Sequence, residues 1–377
     1  MQLKNYDYEN LARYVKLSDK KIVIYGAGMI GQIIVPYLIE RYCLEDYVDC
    51  FVDANPNKIG RIVQVGEYKY EIRSIDYICV RKKTVVLLIS NSKFFEIVKC
   101  LDQIKELDEL EATIVPITQI SMSKNAKDII VEKIYPKPCI PKIIHYCWFG
   151  EKKMSPFLEK CIESWREKCP DYEIKCWNQD NFDVGKYKYT KQAFESGKFG
   201  FVTDLARLDI LEEYGGVYLD TDVTLLKSLD DLLYQEGFVG TEKWGNINTG
   251  GGCGFVAGHP ILKEMIRYRS QFDFVLNDGG FNIETNGIYE TKVFLDYGFK
   301  PDHSLQKFDG VTVYPSYVFH PYDYVSCTTQ IRNATYGIHH FYGGWMEKPD
   351  LENRQNTQQA YVQMVDRMCG KRAGHEI

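Results

Sequence analysis

Residues 201–224 read FVTDLARLDILEEYGGVYLDTDVT, and the order of features in this stretch decides the fold. Leu205, Leu208 and Leu211 recur at helical spacing, and Gly215-Gly216 then ends the helix with a left-handed cap. Val217, Tyr218 and Leu219 form a short strand that runs into Asp220-Thr221-Asp222. Residues two apart in extended backbone point the same way, so both carboxylates share one face at the strand's end. Two close carboxylates repel, and without a cation one tends to stay protonated. A divalent ion that prefers hard oxygen ligands, Mg²⁺ or Mn²⁺, removes that conflict and can bridge to a diphosphate. A bare Asp-x-Asp is commonly a solvated loop; the apolar strand before it and the helix and glycine pair upstream set this one apart. Asp204 and Arg207 lie three apart on one helix face. Alone they read as a surface ion pair worth under about 1 kcal/mol, and in this context as part of the same site. Helix, glycine turn, strand and carboxylates in this order read as α/β.

Around this stretch the chain has 377 residues, enough for two or three domains, each able to bury its own core. Forty-six Lys and Arg against 52 Asp and Glu give a net charge of −6, which argues against a nucleic-acid partner. The aromatic content, with 28 Tyr, suits stacking on sugars and ordinary packing alike. The stretch from Ile22 to Ile39 is interrupted by Gly26, Gly28, Gly31, Gln32 and Pro36, so strand-turn-helix explains it better than a membrane span. The N-terminus is polar and carries no signal-peptide core. The twelve cysteines are scattered without a CxxC pair, which disfavours a zinc site and suits reduced thiols in a cytoplasmic protein.

Lys133 to Pro141 reads KIYPKPCIP, a stiff extended segment that divides the chain. The division is residues 1–135, a Pro-rich linker over 136–141, and 142–377 ending in a polar helix from about Leu351. The first part opens with the apolar run Lys21–Tyr25, then Gly26-Ala27-Gly28-Met29-Ile30-Gly31, a helical pattern, and a strand Val48–Val52 ending at Asp53, 22 residues beyond Gly31. This is the dinucleotide fingerprint in its required context, with Gly26, Gly28, Gly31 and Asp53 as a candidate nucleotide site. Further strands are expected at Thr84–Ile89 and Ala112–Val115. About four strands make only one mononucleotide-sized half, which argues against a dehydrogenase. The stretch YGAG…FVDANPNKIG resembles the small Rossmann-like N-terminal domains of bacterial polysaccharide-synthesis enzymes and sugar acyltransferases. Nucleotide binding and a purely structural role both stay open for it.

The second part carries, in order, PKIIHYCWFG (141–150), CIESWREKCPDYEIKCWNQDNF (161–182), the stretch quoted first, INTGGGCGF (247–255) and YGIHHFYGGW (336–345). On these motifs it resembles the DXD-containing sugar transferases of glycosyltransferase family 32, which include bacterial capsule and lipopolysaccharide enzymes and yeast mannosyltransferases. It is more distantly similar to the catalytic domain of large glucosylating toxins. The resemblance implies a glycosyltransferase-A type Rossmann-like mixed sheet, preceded here by the small parallel Rossmann-like domain. It implies retaining transfer of a hexose from a nucleotide-sugar, UDP-sugars first and GDP-mannose second, to a glycan or lipid-linked glycan acceptor in surface polysaccharide synthesis, at the inner membrane face.

Carried over by resemblance, Trp148 stacks on the base, Asp204 and Arg207 hold donor-sugar hydroxyls, and Tyr218 lies beside the ribose. Asp220 touches sugar and ribose or reaches the metal through water, Asp222 is the direct metal ligand, His340 completes the metal shell and Trp345 reaches the diphosphate. Asn248 is a candidate contact to donor or acceptor sugar, although the glycines around it also fit a turn. Relatives usually place Ser where this chain has Gly344, which puts the third metal partner in question. Trp148 also fits a core position. His339 and His340 also fit buried structural histidines; adjacent in a strand, they face opposite ways, so only one is expected to serve the site. Trp165, Trp177 and Asn178 read as packing and turn residues. A rival reading makes the first domain the active unit of an NAD(P)-binding regulatory or redox protein.

Overall fold

The computed structural model describes residues 1–370 apart from Ala27, Gly66, Trp345 and Glu347, and the side chains of Met29, Gln32, Pro349 and Asp350 are outside it. The chain forms two units, Met1–Asn125 together with the helix Lys348–Met368, and Ala126–Glu347.

In the first unit the apolar run Lys21–Tyr25 is the central strand of a seven-stranded sheet. The spatial order is Gln2–Leu3, Glu111–Ile114, Val85–Ile89, Lys21–Tyr25, Val48–Val52, Tyr68–Arg73, Ile62–Val65. Every pairing is parallel except the last. The glycine loop follows the central strand at the crevice where the strand order reverses. A Cβ on Gly31 would lie 2.1 Å from the Gly26 carbonyl oxygen, so glycine is what lets the helix Met29–Tyr42 start against the loop. The expected four strands are therefore too few. Gln2–Leu3 and Ile62–Val65 are short edge strands, and Tyr68–Arg73 beside the second edge is partly exposed, so none of the three reads as an apolar run. With seven strands, the count no longer argues against a dinucleotide.

Two expected boundaries are corrected. The Pro-rich stretch is extended but packs within the second unit. The amides of Ile134 and Tyr135 donate to Tyr234, those of Cys139 and Ile140 donate to Leu233, and Ile140 is buried. The C-terminal helix belongs to the first unit instead of the catalytic one. Ala360, Met364 and Met368, four apart, bury one stripe, and Arg367 pairs with Asp102 at 2.7 Å.

The second unit holds a mixed seven-stranded sheet in the order Gln306–Phe308, Val311–Tyr314, Gly237–Thr241, Ile247–Phe255, Gly216–Tyr218, Ile143–Cys147, Glu173–Trp177. Gly216–Tyr218 runs parallel to Ile143–Cys147 and antiparallel to Ile247–Phe255. This is a mixed α/β sheet, as expected for this part of the chain. The helix Phe199–Tyr214 packs against it and is buried over Phe201–Val202 and Asp204–Leu211, charged residues included. Gly215 and Gly216 end the helix at φ of +64° and +98°. A Cβ there would come within 2.8 Å of Ala257 N or of Ile143 O. The glycines of INTGGGCGF, for which a turn was the alternative, lie in the strand Ile247–Phe255. Past the sheet, Val223–Leu225 pairs antiparallel with Gly337–His339 in a small ribbon.

Candidate active site

Leaving the strand Gly216–Tyr218, the chain is held on both sides. Leu219 N donates to His145 O at 3.1 Å, and Asp220 N donates to Gly250 O at 2.8 Å. Asp220 therefore emerges against the strand Ile247–Phe255, so close that a Cβ on Gly250 would lie 2.1 Å from its Oδ2. Its Oδ1 accepts from the Tyr218 hydroxyl at 3.1 Å and faces Arg207 Nη2 at 3.4 Å. Two residues on, almost fully buried Asp222 accepts from the Tyr342 amide at 2.7 Å and faces His339 Nε2 at 3.3 Å. Burial alone would raise this carboxyl; the neighbouring His339 and the Tyr342 amide outweigh it and hold Asp222 below the usual range. His339, buried itself, is correspondingly raised by Asp222 against its own desolvation.

One ligand atom from each of Asp220, Asp222 and His339 lies within 4.8 Å of the others. Two carboxylate oxygens and an imidazole nitrogen suit Mn²⁺ or Mg²⁺ in their donor chemistry, so the residues fit the implied cation. The expected partner His340 is corrected to His339. Strand pairing with Val223 turns His339 toward Asp222, whereas His340 Nε2 lies 2.9 Å from Thr224 Oγ1 and its ring edges Phe157. Gly344 is exposed.

Behind the carboxylates lies a second charged layer. Arg207 donates to Thr203 O at 3.1 Å, Thr203 Oγ1 at 3.0 Å and Thr249 Oγ1 at 3.4 Å, and faces Asp204 at 3.7 Å. Asp204 also faces Arg269 at 3.9 Å and the Tyr189 hydroxyl at 3.5 Å. Burial still dominates and pushes Asp204 up to about 6, against the pull of Arg207 and Arg269. Arg269, 1% exposed, is clamped between the rings of Tyr189 and Tyr289, with its guanidinium carbon 3.7 and 4.1 Å from their centroids. Glu290 accepts from the Thr249 amide and hydroxyl and from Asn286, and burial raises it to about 7 despite Arg207.

Asp204, Arg207, Tyr218, Asp220 and Asp222 thus converge. Trp148 follows the strand Ile143–Cys147, half-buried, with its indole N–H donating to Lys152 O at 2.8 Å. The Asn248 Oδ1 accepts from the amides of Gly250 and Gly251 at 2.9 and 3.2 Å, and the side chain also hydrogen-bonds Glu242. Trp345 lies outside the described residues. Trp165 and Trp177 are core residues whose indoles donate to Val223 O and His145, and Asn178 caps a turn. In the first unit, Gly26 and Asp53 directly follow the strands Lys21–Tyr25 and Val48–Val52, Gly28 is the N-cap of the helix Met29–Tyr42, and Gly31 lies in its first turn. Asp53 is engaged by Lys58 at 3.0 Å and by the Asn55 amide at 2.9 Å.

Arg269, Thr249 and Glu290, which join this cluster, were not anticipated, and His339 was weighed only as the alternative to His340. The available signals were a lone Glu290 amid Ile288, Val293 and Phe294, and an Arg269 that closes an amphipathic helix.

Comparison with known proteins points to the same span. The chain is 31% identical over 157 residues to inositol phosphoceramide mannosyltransferase 3 of Schizosaccharomyces pombe, covering 39% of this chain and 42% of that protein. It is 30% identical over 169 residues to mannosyl phosphorylinositol ceramide synthase SUR1 of Saccharomyces cerevisiae, covering 41% and 42%. It is 26% identical over 201 residues to lactosylceramide 4-alpha-galactosyltransferase of Mus musculus, covering 48% and 51%. The chain thus spans about half the length of these relatives or less, and they are lipid glycosyltransferases rather than capsule or lipopolysaccharide enzymes. A solved structure, PaToxG glycosyltransferase, aligns with a TM-score of 0.32 at 15% identity over 54% of this chain and 79% of that one. Residues 156–239 match the family described as glycosyltransferase sugar-binding region containing DXD motif, so the second unit carries such a region around Asp204, Arg207, Tyr218, Asp220 and Asp222.

Proposed function

We propose that this chain transfers a hexose from a nucleotide-sugar to a hydroxyl of a glycan or lipid-linked glycan, with retention at the anomeric carbon. The observation that carries this reading is the convergence of His339 on Asp220 and Asp222, the carboxylate pair of the matched DXD region. A divalent cation held there would stabilise the charge developing on the departing diphosphate. Arg207 adds fixed positive potential beside Asp220 and keeps that carboxylate oriented through the shared Tyr218 contact. Asp204 presents a carboxylate to sugar hydroxyls from the same helix face. Among the described residues no side chain stands out as a covalent nucleophile. In a front-face transfer the bond from the anomeric carbon to phosphate oxygen breaks while the bond to the acceptor oxygen forms. The acceptor proton then passes to the departing phosphate.

The relatives named for mannosyl transfer support giving GDP-mannose equal rank with the UDP-hexoses. Their names, inositol phosphoceramide and lactosylceramide, support a lipid-linked acceptor alongside the surface polysaccharide that the sequence suggested. Among the described residues no helix is long and apolar enough to cross a membrane. Twelve unpaired thiols support a reducing compartment, the cytoplasm or its membrane face.

The test is nucleotide release from a panel of UDP- and GDP-sugars, with Mn²⁺ or chelator, for the wild type and Asp222→Asn. Slow release that needs metal and is lost in the variant supports the reading; metal-independent release, or none from any donor, overturns it. A trapped glycosyl-enzyme adduct would rule out the front-face step. The second reading, nucleotide or NAD(P) binding by the first unit, is favoured by its strand order, with the glycine loop at the reversal point. It predicts NAD(P) binding that Asp222→Asn leaves unchanged.

A further inference from the structure

His339 brings the nitrogen donor to the candidate cation site, and its ring is held without the usual hydrogen bond. Nε2 faces Asp222 Oδ1 at 3.3 Å, while Nδ1 is buried and, among the described residues, has no hydrogen-bond partner. A histidine that binds a metal commonly donates its other ring N–H to a carboxylate or carbonyl, and that bond fixes the ring's orientation. Here the contact is a flat one instead. The Phe341 ring lies on the His339 ring with centroids 4.1 Å apart and planes 27° from parallel. His320, fully buried, stands edge-on to His339 at 5.3 Å. Tyr324 and His320 in turn pack on Phe341 at 5.2 and 5.8 Å.

Phe341 reaches this position through a backbone that phenylalanine rarely adopts. Its φ is +49°, in the left-handed region, where a Cβ crowds the following carbonyl. The turn itself has a purpose. On either side of Phe341, the His340 amide donates to the Asp222 carbonyl at 3.1 Å and the Tyr342 amide donates to the Asp222 carboxylate at 2.7 Å. Glycine would serve such a turn at no steric cost, as Gly343 does two residues on at φ +68°. What glycine lacks is the ring on His339. Strained backbone of this kind gathers at functional sites and persists where the surrounding contacts hold it.

We propose that Phe341 is a positioning residue for the cation site: its ring, stacked on His339, holds the imidazole with Nε2 toward Asp222. The torsion that turns a histidine ring is a broad one, so without the stacked face Nε2 swings away from the two carboxylates. The proposal rests on the reading of Asp220, Asp222 and His339 as a cation site, and the experiment separates the two.

Mn²⁺ is titrated into the metal-free full chain and followed by calorimetry, and the bound ion is read by the electron-spin-echo modulation that a ligating nitrogen produces. The wild type, Phe341→Gly, Phe341→Leu and Phe341→Tyr are compared, with His339→Gln marking the spectrum without that nitrogen and thermal melts reporting the fold. If position 341 serves only the turn, Phe341→Gly binds Mn²⁺ as well as the wild type or better. The proposal predicts the opposite. Phe341→Gly and Phe341→Leu should weaken Mn²⁺ about tenfold or more, the size usual for changes around a metal's ligands, and diminish the nitrogen modulation. Phe341→Tyr, which keeps the flat face, should stay within about threefold with the modulation intact. Leucine keeps an apolar side chain on the same backbone without a flat face, so it answers the question should Phe341→Gly fail to fold. The proposal alone is overturned if the wild type shows the nitrogen modulation and the folded Gly or Leu variant binds like it, or if Phe341→Tyr loses as much as Phe341→Leu. A wild type that binds no Mn²⁺, or binds it without a modulation that His339→Gln removes, overturns the cation site and the proposal with it.

Discussion

Gly250→Ala places one methyl group where Asp220 needs to be. The added carbon would lie 2.1 Å from Asp220 Oδ2 and 2.9 Å from Arg207 Nη1. Non-bonded heavy atoms settle near about 3.5 Å, so the carboxylate must retreat by about 1 Å or more. The backbone of Gly250 lies outside the left-handed region, so alanine itself is unstrained there. Asp220 can swing about its side-chain torsions, at a cost of about 0.5–1.5 kcal/mol if pushed off a rotamer. The larger loss is functional, because the retreat pulls Oδ1 from the Tyr218 hydroxyl at 3.1 Å and from Arg207 at 3.4 Å. A misplacement of about 1 Å can cost about 100-fold in turnover, or about 2.7 kcal/mol in the barrier. The assay is metal-dependent nucleotide release together with Mn²⁺ affinity and a thermal melt. Gly254→Ala serves as comparison: its methyl would meet the Phe238 ring at 2.5 Å, in the core, and should lower stability without a selective loss of metal affinity. Gly250→Ala with release within threefold of wild type and unchanged Mn²⁺ affinity would refute the placement of Asp220 in the site.

Asp204 and Glu290 are both raised by burial, from 3.8 to about 6 and from 4.5 to about 7. Each binds protons more tightly folded than unfolded, so each favours folding at low pH and loses that contribution as pH rises through those windows, by up to about 3 kcal/mol apiece. Urea unfolding of the metal-free protein should therefore weaken between pH 4 and 7, and Asp204→Asn should flatten part of that slope while lowering donor turnover at least tenfold. His339→Gln should weaken Mn²⁺ binding at least tenfold by calorimetry, whereas His340→Gln, turned to Thr224, should change it less than threefold. Arg269→Met keeps much of the volume between Tyr189 and Tyr289 but removes one of two cations beside Asp204. The acid limb of the pH–rate profile should move up, and less so in Arg269→Lys.

The parts of the fold that were legible are those specified locally. Lys21–Tyr25 and Val48–Val52 are apolar runs closed by a glycine loop and an aspartate, and the structure has strands over those same residues. The helix before the carboxylate pair was legible from leucine spacing and the double glycine. Which of two adjacent histidines faces Asp222 was not, because the answer depends on pairing with a strand more than a hundred residues earlier. The Pro-rich segment was correctly extended, but extension does not reveal whether the freed amides meet water or the carbonyls of Leu233 and Tyr234. The C-terminal helix looked polar because Ala360, Met364 and Met368 make a stripe one residue wide. Arg269 and Glu290 carry no local motif, and their meaning comes from the buried partners that tertiary structure brings to them.

Those partners also say why the charges are inside at all. Buried ion pairs are weak stabilisers, since desolvation offsets most of their attraction, and apolar residues of similar shape often do as well or better. Asp204 makes the point directly: even with Arg207 and Arg269 at hand, burial wins and its ionised form is disfavoured. Stability therefore does not explain the placement. The direction of the charges does. Arg207 reaches past Asp204 to Asp220, Glu290 fixes Thr249, and Thr249 accepts from Arg207. The helix Phe199–Tyr214 thus aims one guanidinium at the first carboxylate of the pair, while the ribbon aims His339 at the second. Four carboxylates, Asp204, Asp220, Asp222 and Glu290, then surround two arginines and one histidine. Asp220, Asp222 and His339 meet at the strand's end, and two carboxylate oxygens beside an imidazole nitrogen are a donor set that suits a divalent cation.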